Sequence, residues 1–312
     1  MAQAKHEQRM AAVLAEIAAL QPRLVRVIDA LRIRDRDAFP EVNAQTFADS
    51  VEYMRFMAFL QASIKLRIMV EQNFSFLHTF SVLATTRYVL ELLIWFRLLI
   101  KDANTYGYFF YAFTTVDQVN YLESQIREFK REISFFRDLD STEKDQHETV
   151  LSSIRGMGGK LDPIAINESM DMVSAEIDRA ARRNFSIHFE EAKYNGFGFQ
   201  AALIEAQALP QLERELESQN SVRDSLKDRF PKWPKKWNWK IEAANAGLSE
   251  QFDFIYGYTS RLLHAHPGSF NTDQKNLEVS EMVLFLDFVY VSMLEMIEIC
   301  ERTAGIADPA VH

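Results

Sequence analysis

The residues from Tyr256 to Pro267 bring together side chains that could carry out acid–base chemistry on a phosphate. The segment reads Tyr256-Gly-Tyr-Thr-Ser260-Arg261-Leu-Leu-His264-Ala-His266-Pro267. In a helix, Tyr256, Ser260 and His264 lie on one face because they are four residues apart. An imidazole takes up a proton near neutral pH, and the Arg261 guanidinium binds phosphate through charge-assisted hydrogen bonds. The spacing indicates either an active site or a polar seam inside a helical bundle, and both interpretations stay open.

Arg87 and Glu91 form a second polar element, within the apolar segment 79–100. Four residues make about one helical turn, so the two side chains meet on one face. Opposite charges inside an apolar helix are costly unless they are paired, which favours a buried ion pair that fixes the position of the helix. The functional interpretation is a polar pocket wall, in which this pair orients the arginine and histidines of the first segment.

An alternative catalytic set is contained in Arg183-Asn184-Phe-Ser-Ile-His188, where an arginine is followed by asparagine and, five positions on, by histidine. The apolar periodicity predicts a helix from about 164 to 193 through this segment. Five residues turn a continuous helix by about 140°, which directs the Arg183 and His188 side chains apart. We therefore favour a solvated helix surface here and keep Arg183, Asn184 and His188 as the second choice.

The segment 227–240 combines positive charge with aromatic rings. It holds six basic residues and one acid, and three of the four tryptophans of the chain. Basic groups for phosphates and rings for bases are what single-stranded nucleic acid binding requires. The candidate nucleic-acid contacts are Lys232, Trp233, Lys235, Lys236, Trp237 and Trp239. The alternative, which the two prolines favour, is a packed loop whose tryptophans fill a gap while the lysines are solvated.

The composition of the chain excludes several classes of protein. Among 312 residues there are 10 glycines and 8 prolines, too few for a turn-rich β-sandwich or a disordered chain. The net charge of −9 argues against attachment to nucleic acid or membrane by bulk charge. The single cysteine, Cys300, excludes a disulfide scaffold and a cysteine-based zinc site. Since HExxH, dinucleotide and phosphate-loop motifs are also missing, we expect neither a metal site nor a cofactor.

No segment of the sequence predicts export or membrane insertion. The first ten residues contain no apolar core of a signal peptide. The two most apolar stretches, 79–100 and 282–300, each carry three charged residues, which are costly at the centre of a membrane span. We expect a cytoplasmic protein in which both stretches are core helices.

Apolar residues recur at spacings of three and four almost throughout the chain, which is helical periodicity. We therefore predict an all-α fold, a multi-helix bundle with long antiparallel helices and no significant sheet. The long stripe over about 105–139 predicts one arm of an amphipathic hairpin, followed by a separate helix over 141–157 capped by Ser141 or Thr142. The glycine-rich segment 156–163 predicts a loop that divides an N-terminal part, 1–155, from a C-terminal part, 164–312. The C-terminal part is expected to pack on a helix over 74–101.

With Arg87-x3-Glu91 and Tyr256-x3-Ser260-x3-His264, the chain resembles a family of uncharacterised bacterial all-helical proteins, a domain of unknown function. More loosely, an all-helical chain with Arg-x4-His resembles the HEPN-type ribonucleases of bacterial toxin and phage-defence systems. That resemblance implies a dimeric bundle in which the Arg and His of each subunit meet at the interface. Carried onto this sequence, it implies either Arg261 with His266, or Arg183, Asn184 and His188. Leu262 differs from the polar residue that usually follows the arginine in that family.

Two functional hypotheses follow from these patterns. The first is a metal-independent endoribonuclease, with RNA as partner, in which His264 or His266 accepts the proton of a ribose hydroxyl and Arg261 holds the phosphate. Arg87, Glu91 and Ser260 complete that predicted site. The second is a non-catalytic helical module that binds a protein partner or forms a homo-oligomer.

Overall fold

The structure is a computed structural model that describes residues 2–38, 50–74, 78–156, 163–229, 237–263 and 277–306. These residues are almost entirely helical and contain no strand, so the predicted all-α fold is confirmed. In chain order the helices are α1 (Ala2–Ala18), α2 (Gln21–Ala38), α3 (Val51–Gln72), α4 (Thr79–Lys101), α5 (Ala103–Gly156), α6 (Pro163–Arg183), α7 (Phe189–Asn195), α8 (Phe197–Leu203), α9 (Leu209–Arg229), α10 (Trp239–Asn245), α11 (Ser249–Leu263) and α12 (Val279–Ala304).

The chain forms two compact units. Unit 1 consists of residues 1–113 and 231–312, and unit 2 consists of residues 114–230. The helix α5 contributes residues to both units. This division follows different bounds from the predicted parts 1–155 and 164–312.

The core of unit 1 is built around α4 and α12, which pack against each other. Their buried residues recur every three or four positions, as in Leu286, Val289, Met293 and Met296, because this spacing keeps one helix face apolar. One ion pair joins these two apolar helices: Arg97 of α4 makes a bidentate ion pair with Glu295 of α12, at 2.7 and 2.8 Å. Such pairing explains how charged residues occur in segments that otherwise resemble membrane spans.

No helix in the described part of the chain is both long enough and apolar enough to cross a membrane.

The helix α5 is longer than the sequence predicts. It runs without a break for 54 residues, so the prediction of a separate helix beginning at Ser141 or Thr142 is wrong. The hydroxyl of Thr142 donates to the carbonyl of Asp138 inside the continuous helix instead of capping a new one. A residue that favours a helix start can also bond to the preceding turn, and with no glycine or proline between 108 and 155 the helix continues.

Unit 2 packs α6 to α9 with the adjoining part of α5 around a separate core of apolar residues. The helix predicted over 164–193 is interrupted, since α6 ends at Arg183 and α7 begins at Phe189. Between α8 and α9 lies one π-helical turn, Ile204–Ala208. Pro210 follows it and has no N–H to donate to the turn before, so a widened turn relieves the clash that proline makes in a regular helix.

Candidate functional sites

The predicted polar pair Arg87–Glu91 meets the predicted polar stripe of α11 in unit 1. Arg87 Nε donates to Glu91 Oε1 at 3.1 Å, and both side chains are about three-quarters buried. The Arg87 guanidinium lies over the ring of Tyr256, 4.3 Å from its centroid, and Tyr256 stacks on Phe252 of the same helix. Two segments that are far apart in sequence therefore converge. These contacts give Arg87 a structural role, because its guanidinium makes both a cation–π contact and an ion pair.

Only part of the first predicted catalytic set can be placed. Ser260 is half-buried one helical turn after Tyr256, and Arg261 belongs to the last turn of α11. His264 and His266 lie outside the described residues. The site formed by Arg261, His264, His266, Arg87, Glu91 and Ser260 therefore stays a prediction, of which the structure describes the contact between Arg87 and Glu91.

Trp237 and Trp239 from the basic, aromatic segment line a cavity of about 460 Å³ in unit 1, together with Lys240 and Tyr256. The Trp237 ring stacks on Trp95 at 4.1 Å between centroids, with 12° between the planes. One face of that ring is therefore already covered by the core, as the packed-loop interpretation expects. The other candidate contacts, Lys232, Trp233, Lys235 and Lys236, lie outside the described residues.

The alternative set, Arg183, Asn184 and His188, lies on a turn of unit 2 and not on a continuous helix. Arg183 is the last residue of α6, and His188 directly precedes α7. The turn folds back on α6 because the Ser186 amide donates to the carbonyl of Ala181. The premise of the helix-phase expectation, an unbroken helix over 164–193, is therefore wrong.

Phe185, at the centre of this turn, has a left-handed backbone conformation with φ of +51°. Glycine usually occupies that position at the end of a helix, because a side chain there approaches the backbone too closely. The Phe185 side chain is 82% exposed, so burial does not compensate for the strain. Strained backbone of this kind is concentrated at functional sites.

The carboxylate of Glu132, on α5, holds the turn between α6 and α7 through hydrogen bonds. Its Oε1 accepts hydrogen bonds from the Ser186 hydroxyl at 2.5 Å and the His188 amide at 2.9 Å. Its Oε2 lies 2.8 Å from His188 Nδ1. Burial by itself would raise the pKa of the Glu132 carboxyl, but the bonds from Ser186 and His188 together hold that pKa below its usual range. The carboxylate is 7% exposed and stays ionised, so it acts as an acceptor for all three groups.

The contact with Glu132 fixes the roles of the two ring nitrogens of His188. An ionised carboxylate can only accept, so Nδ1 carries the proton and, in the neutral ring, Nε2 keeps a lone pair. The ring packs edge-on against Phe129 of α5, at 5.4 Å between centroids, and the side chain is 26% exposed. An imidazole that is oriented by a carboxylate and reachable from solvent can act as a general base.

Arg183 and Asn184 differ in how far the fold uses their side chains. The side-chain amide of Asn184 donates to the carbonyl of Ala180 at 3.0 Å and so caps the end of α6. The backbone carbonyl of Asn184 accepts a hydrogen bond from Arg131 of α5, which connects the turn to that helix. The Arg183 side chain is exposed and makes no ion pair with the described part of the chain. Arg183 is therefore the member of the set that can bind an anion.

Sequence reasoning missed Glu132, although a signal for it exists. Glu132 is three residues after Phe129 and four before Phe136, which places it on the apolar face of α5. A carboxylate on a face that is otherwise apolar needs a partner. The position of that partner, the turn at Ser186 and His188, follows only from the fold.

Within the part of the chain that the structure describes, no three histidine, cysteine or acidic side chains are grouped so that they could hold a metal ion.

Comparisons of the chain with protein-family models, with curated proteins and with solved structures find no match. The geometry of the two candidate sites is therefore the basis for any functional conclusion.

Proposed function

We propose that the chain is a metal-independent endoribonuclease whose active site is the turn between α6 and α7, with Arg183, His188 and Glu132 in the main roles. The observation that carries the proposal is the buried, ionised Glu132 holding Nδ1 of His188 at 2.8 Å. The resemblance of Arg183-Asn184-x3-His188 to the HEPN motif agrees with this assignment. A cytoplasmic role in a bacterial toxin or phage-defence system is part of the same proposal.

The chemistry is a transesterification within the RNA strand. Nε2 of His188 takes the proton of a ribose 2′-hydroxyl, and the 2′-oxygen bonds to the adjacent phosphorus. The bond from phosphorus to the 5′-oxygen breaks, and that oxygen leaves with a proton from water. Arg183 pairs with the phosphate and stabilises the charge that develops on its oxygens. The products are a 2′,3′-cyclic phosphate and a 5′-hydroxyl end.

The test is cleavage of a labelled single-stranded RNA in EDTA by the wild type and by His188→Asn. Asparagine places an amide N–H near the position of Nδ1, so it keeps the bond to Glu132 and removes the base. We expect loss of at least about 100-fold in rate, the usual contribution of a general base. His6→Asn is the matched control, because His6 is exposed and lies in unit 1.

Two outcomes would contradict this assignment. An unchanged rate in His188→Asn would remove His188 from the reaction. Loss of cleavage in His264→Ala or His266→Ala, with His188→Asn fully active, would place the active site at the segment after Tyr256 instead. Absence of cleavage by purified wild type on all single-stranded RNAs tested would refute the nuclease proposal itself.

The second candidate function is a non-catalytic module that binds a protein partner or a second copy of the chain. It is favoured by large apolar side chains that unit 2 leaves in solvent. Tyr194 is 90% exposed, and Phe185, Ile187 and Phe199 are also exposed. Such residues are typical of interaction surfaces when several occur in one small unit. The test is to compare the sedimentation of the wild type with that of Tyr194→Ser and of Ile187→Ser. This candidate predicts that the wild type forms an assembly and that each variant weakens it.

A further inference from the structure

A pocket in unit 1, separate from both candidate sites, is lined by three arginines. Its volume is about 540 Å³, and Arg34 of α2, Arg55 of α3 and Arg302 of α12 line it. Volumes of about 300–1,000 Å³ are typical of sites for small organic ligands. The three guanidinium groups come from three different helices, so the fold and not local sequence brings them to one place.

The floor of this pocket is apolar. Phe56 and Phe59 of α3 line it and are otherwise buried in the core. Glu52 is the one acidic side chain in the lining, so the pocket carries a net charge of +2 from its described residues. Cationic groups above an apolar floor complement a ligand with an anionic group on an apolar body.

Arg34 and Arg302 also have structural roles, and these roles do not apply to Arg55. Arg34 Nη1 donates to the carbonyl of Thr303 at 2.5 Å, and Arg302 lies in the last turn of α12, where a cation offsets the helix dipole. Arg55 lies one turn into α3, near the positive end of the dipole of α3, where a cation is not stabilised by the dipole. Neither Arg55 nor Arg302 makes an ion pair with the described residues. Unpaired positive charge is therefore directed to this pocket.

We propose that this pocket binds a small organic phosphate, with the phosphate at Arg34, Arg55 and Arg302 and the apolar part against Phe56 and Phe59. A dianionic phosphate offers several oxygens to guanidinium donors, which favours it over a single carboxylate. The proposal does not depend on the endoribonuclease activity, because the pocket belongs to unit 1 and His188 to unit 2.

The experiment is titration calorimetry on the full chain with phenyl phosphate, inorganic phosphate and phenol. We expect saturable binding of phenyl phosphate with a dissociation constant below about 1 mM, weaker binding of inorganic phosphate, and none of phenol. Arg55→Gln and Arg302→Gln should each weaken phenyl phosphate at least about tenfold, since each removes a charge-assisted bond. Arg32→Gln is the matched control, an exposed arginine of α2 outside the pocket, and should bind as the wild type does.

The use of two pocket variants keeps the test interpretable if one of them unfolds. Arg302 is exposed, so its replacement leaves the core intact. Circular dichroism identifies a variant that has unfolded, and the conclusion then rests on the other. The proposal is overturned if phenyl phosphate does not saturate, if inorganic phosphate binds as tightly, or if the folded Arg302→Gln protein binds like the wild type. It is equally overturned if Arg32→Gln weakens binding as much as the pocket variants do.

Discussion

Replacement of Glu132 tests the anchor of the turn between α6 and α7. The carboxylate accepts three hydrogen bonds, and a bond to a charged group contributes about 1.5–3 kcal/mol, so the three sum to at least about 4.5 kcal/mol. Ser186 and His188 are half-buried, and water replaces part of what they lose. We therefore expect Glu132→Ala to lower the free energy of unfolding of unit 2 by about 2–3 kcal/mol.

Glu132→Gln separates stability from chemistry. The amide oxygen can still accept from Ser186 and the His188 amide, so the expected loss of unfolding free energy is smaller, about 1–2 kcal/mol. The amide NH₂ group then faces His188 Nδ1 and donates to it, which moves the ring proton to Nε2. Nε2 is the atom that must accept the ribose proton, so cleavage should fall about as far as in His188→Asn while unit 2 stays folded.

The assay for both Glu132 variants is urea unfolding followed by two probes. All four tryptophans belong to unit 1, so their fluorescence reports that unit, whereas far-ultraviolet circular dichroism reports both. The variants should shift the dichroism transition and leave the fluorescence transition in place. Glu143→Gln is the control, an exposed glutamate of the same helix. Unfolding of Glu132→Ala indistinguishable from that of Glu143→Gln would refute the anchoring role.

The pH dependence of unit 2 follows from the same carboxylate. Because the pKa of Glu132 is lowered in the folded state, the unfolded state binds more protons in acid. The stability that Glu132 contributes is complete above about pH 4.3, the ordinary glutamate pKa, and is lost as the pH falls from there through the folded-state pKa. Glu132→Gln should flatten this acid dependence, and Glu143→Gln should retain it.

Three further predictions concern other parts of the fold. Phe185→Gly should have a free energy of unfolding about 1 kcal/mol higher than Phe185→Ala, because glycine accepts the left-handed conformation. Equal urea midpoints of the two variants would contradict backbone strain at this position. A double-mutant cycle on Arg97 and Glu295 should give a coupling of about 1–2 kcal/mol for the bidentate pair, and a coupling near zero would contradict it. Burial raises the pKa of the Cys300 thiol to about 12, so a thiol reagent should label the protein only in denaturant, and rapid labelling of the native chain would show Cys300 to be accessible.

The fold class follows from the sequence because apolar periodicity and the scarcity of glycine and proline both act locally. The same local signals fail at the ends of helices. Ser141 and Thr142 favour a helix start, yet α5 passes through them, and the Thr142 hydroxyl bonds to the carbonyl of Asp138 within the helix. The break after Arg183 contains neither glycine nor proline, and Phe185 adopts a conformation that its residue type disfavours. No pattern in the sequence predicts that break.

The candidate sites divide in the same way. Spacing alone predicts the contact between Arg87 and Glu91, since both lie on one helix. The bond between Glu132 and His188 joins residues 56 positions apart, and the arginine pocket joins three helices, so both depend on tertiary packing. Arg183, Asn184 and His188 ranked second because of helix phase, which applies only to an unbroken helix. Since the predicted continuation of that helix past Arg183 is wrong, helix phase gives no reason to rank this set second.

The proposed chemistry requires that Glu132 keeps the proton of neutral His188 on Nδ1 and leaves Nε2 as the base. Nitrogen-15 NMR of the histidine rings at about pH 8, where an ordinary imidazole is neutral, distinguishes the two ring nitrogens directly. The chain has seven histidines, and the signals missing in His188→Asn identify those of His188. We expect a protonated Nδ1 and an unprotonated Nε2 in the wild type, with the reverse in Glu132→Gln. A wild-type ring with its proton on Nε2, or an even mixture of the two forms, would show that Glu132 does not fix the tautomer of His188.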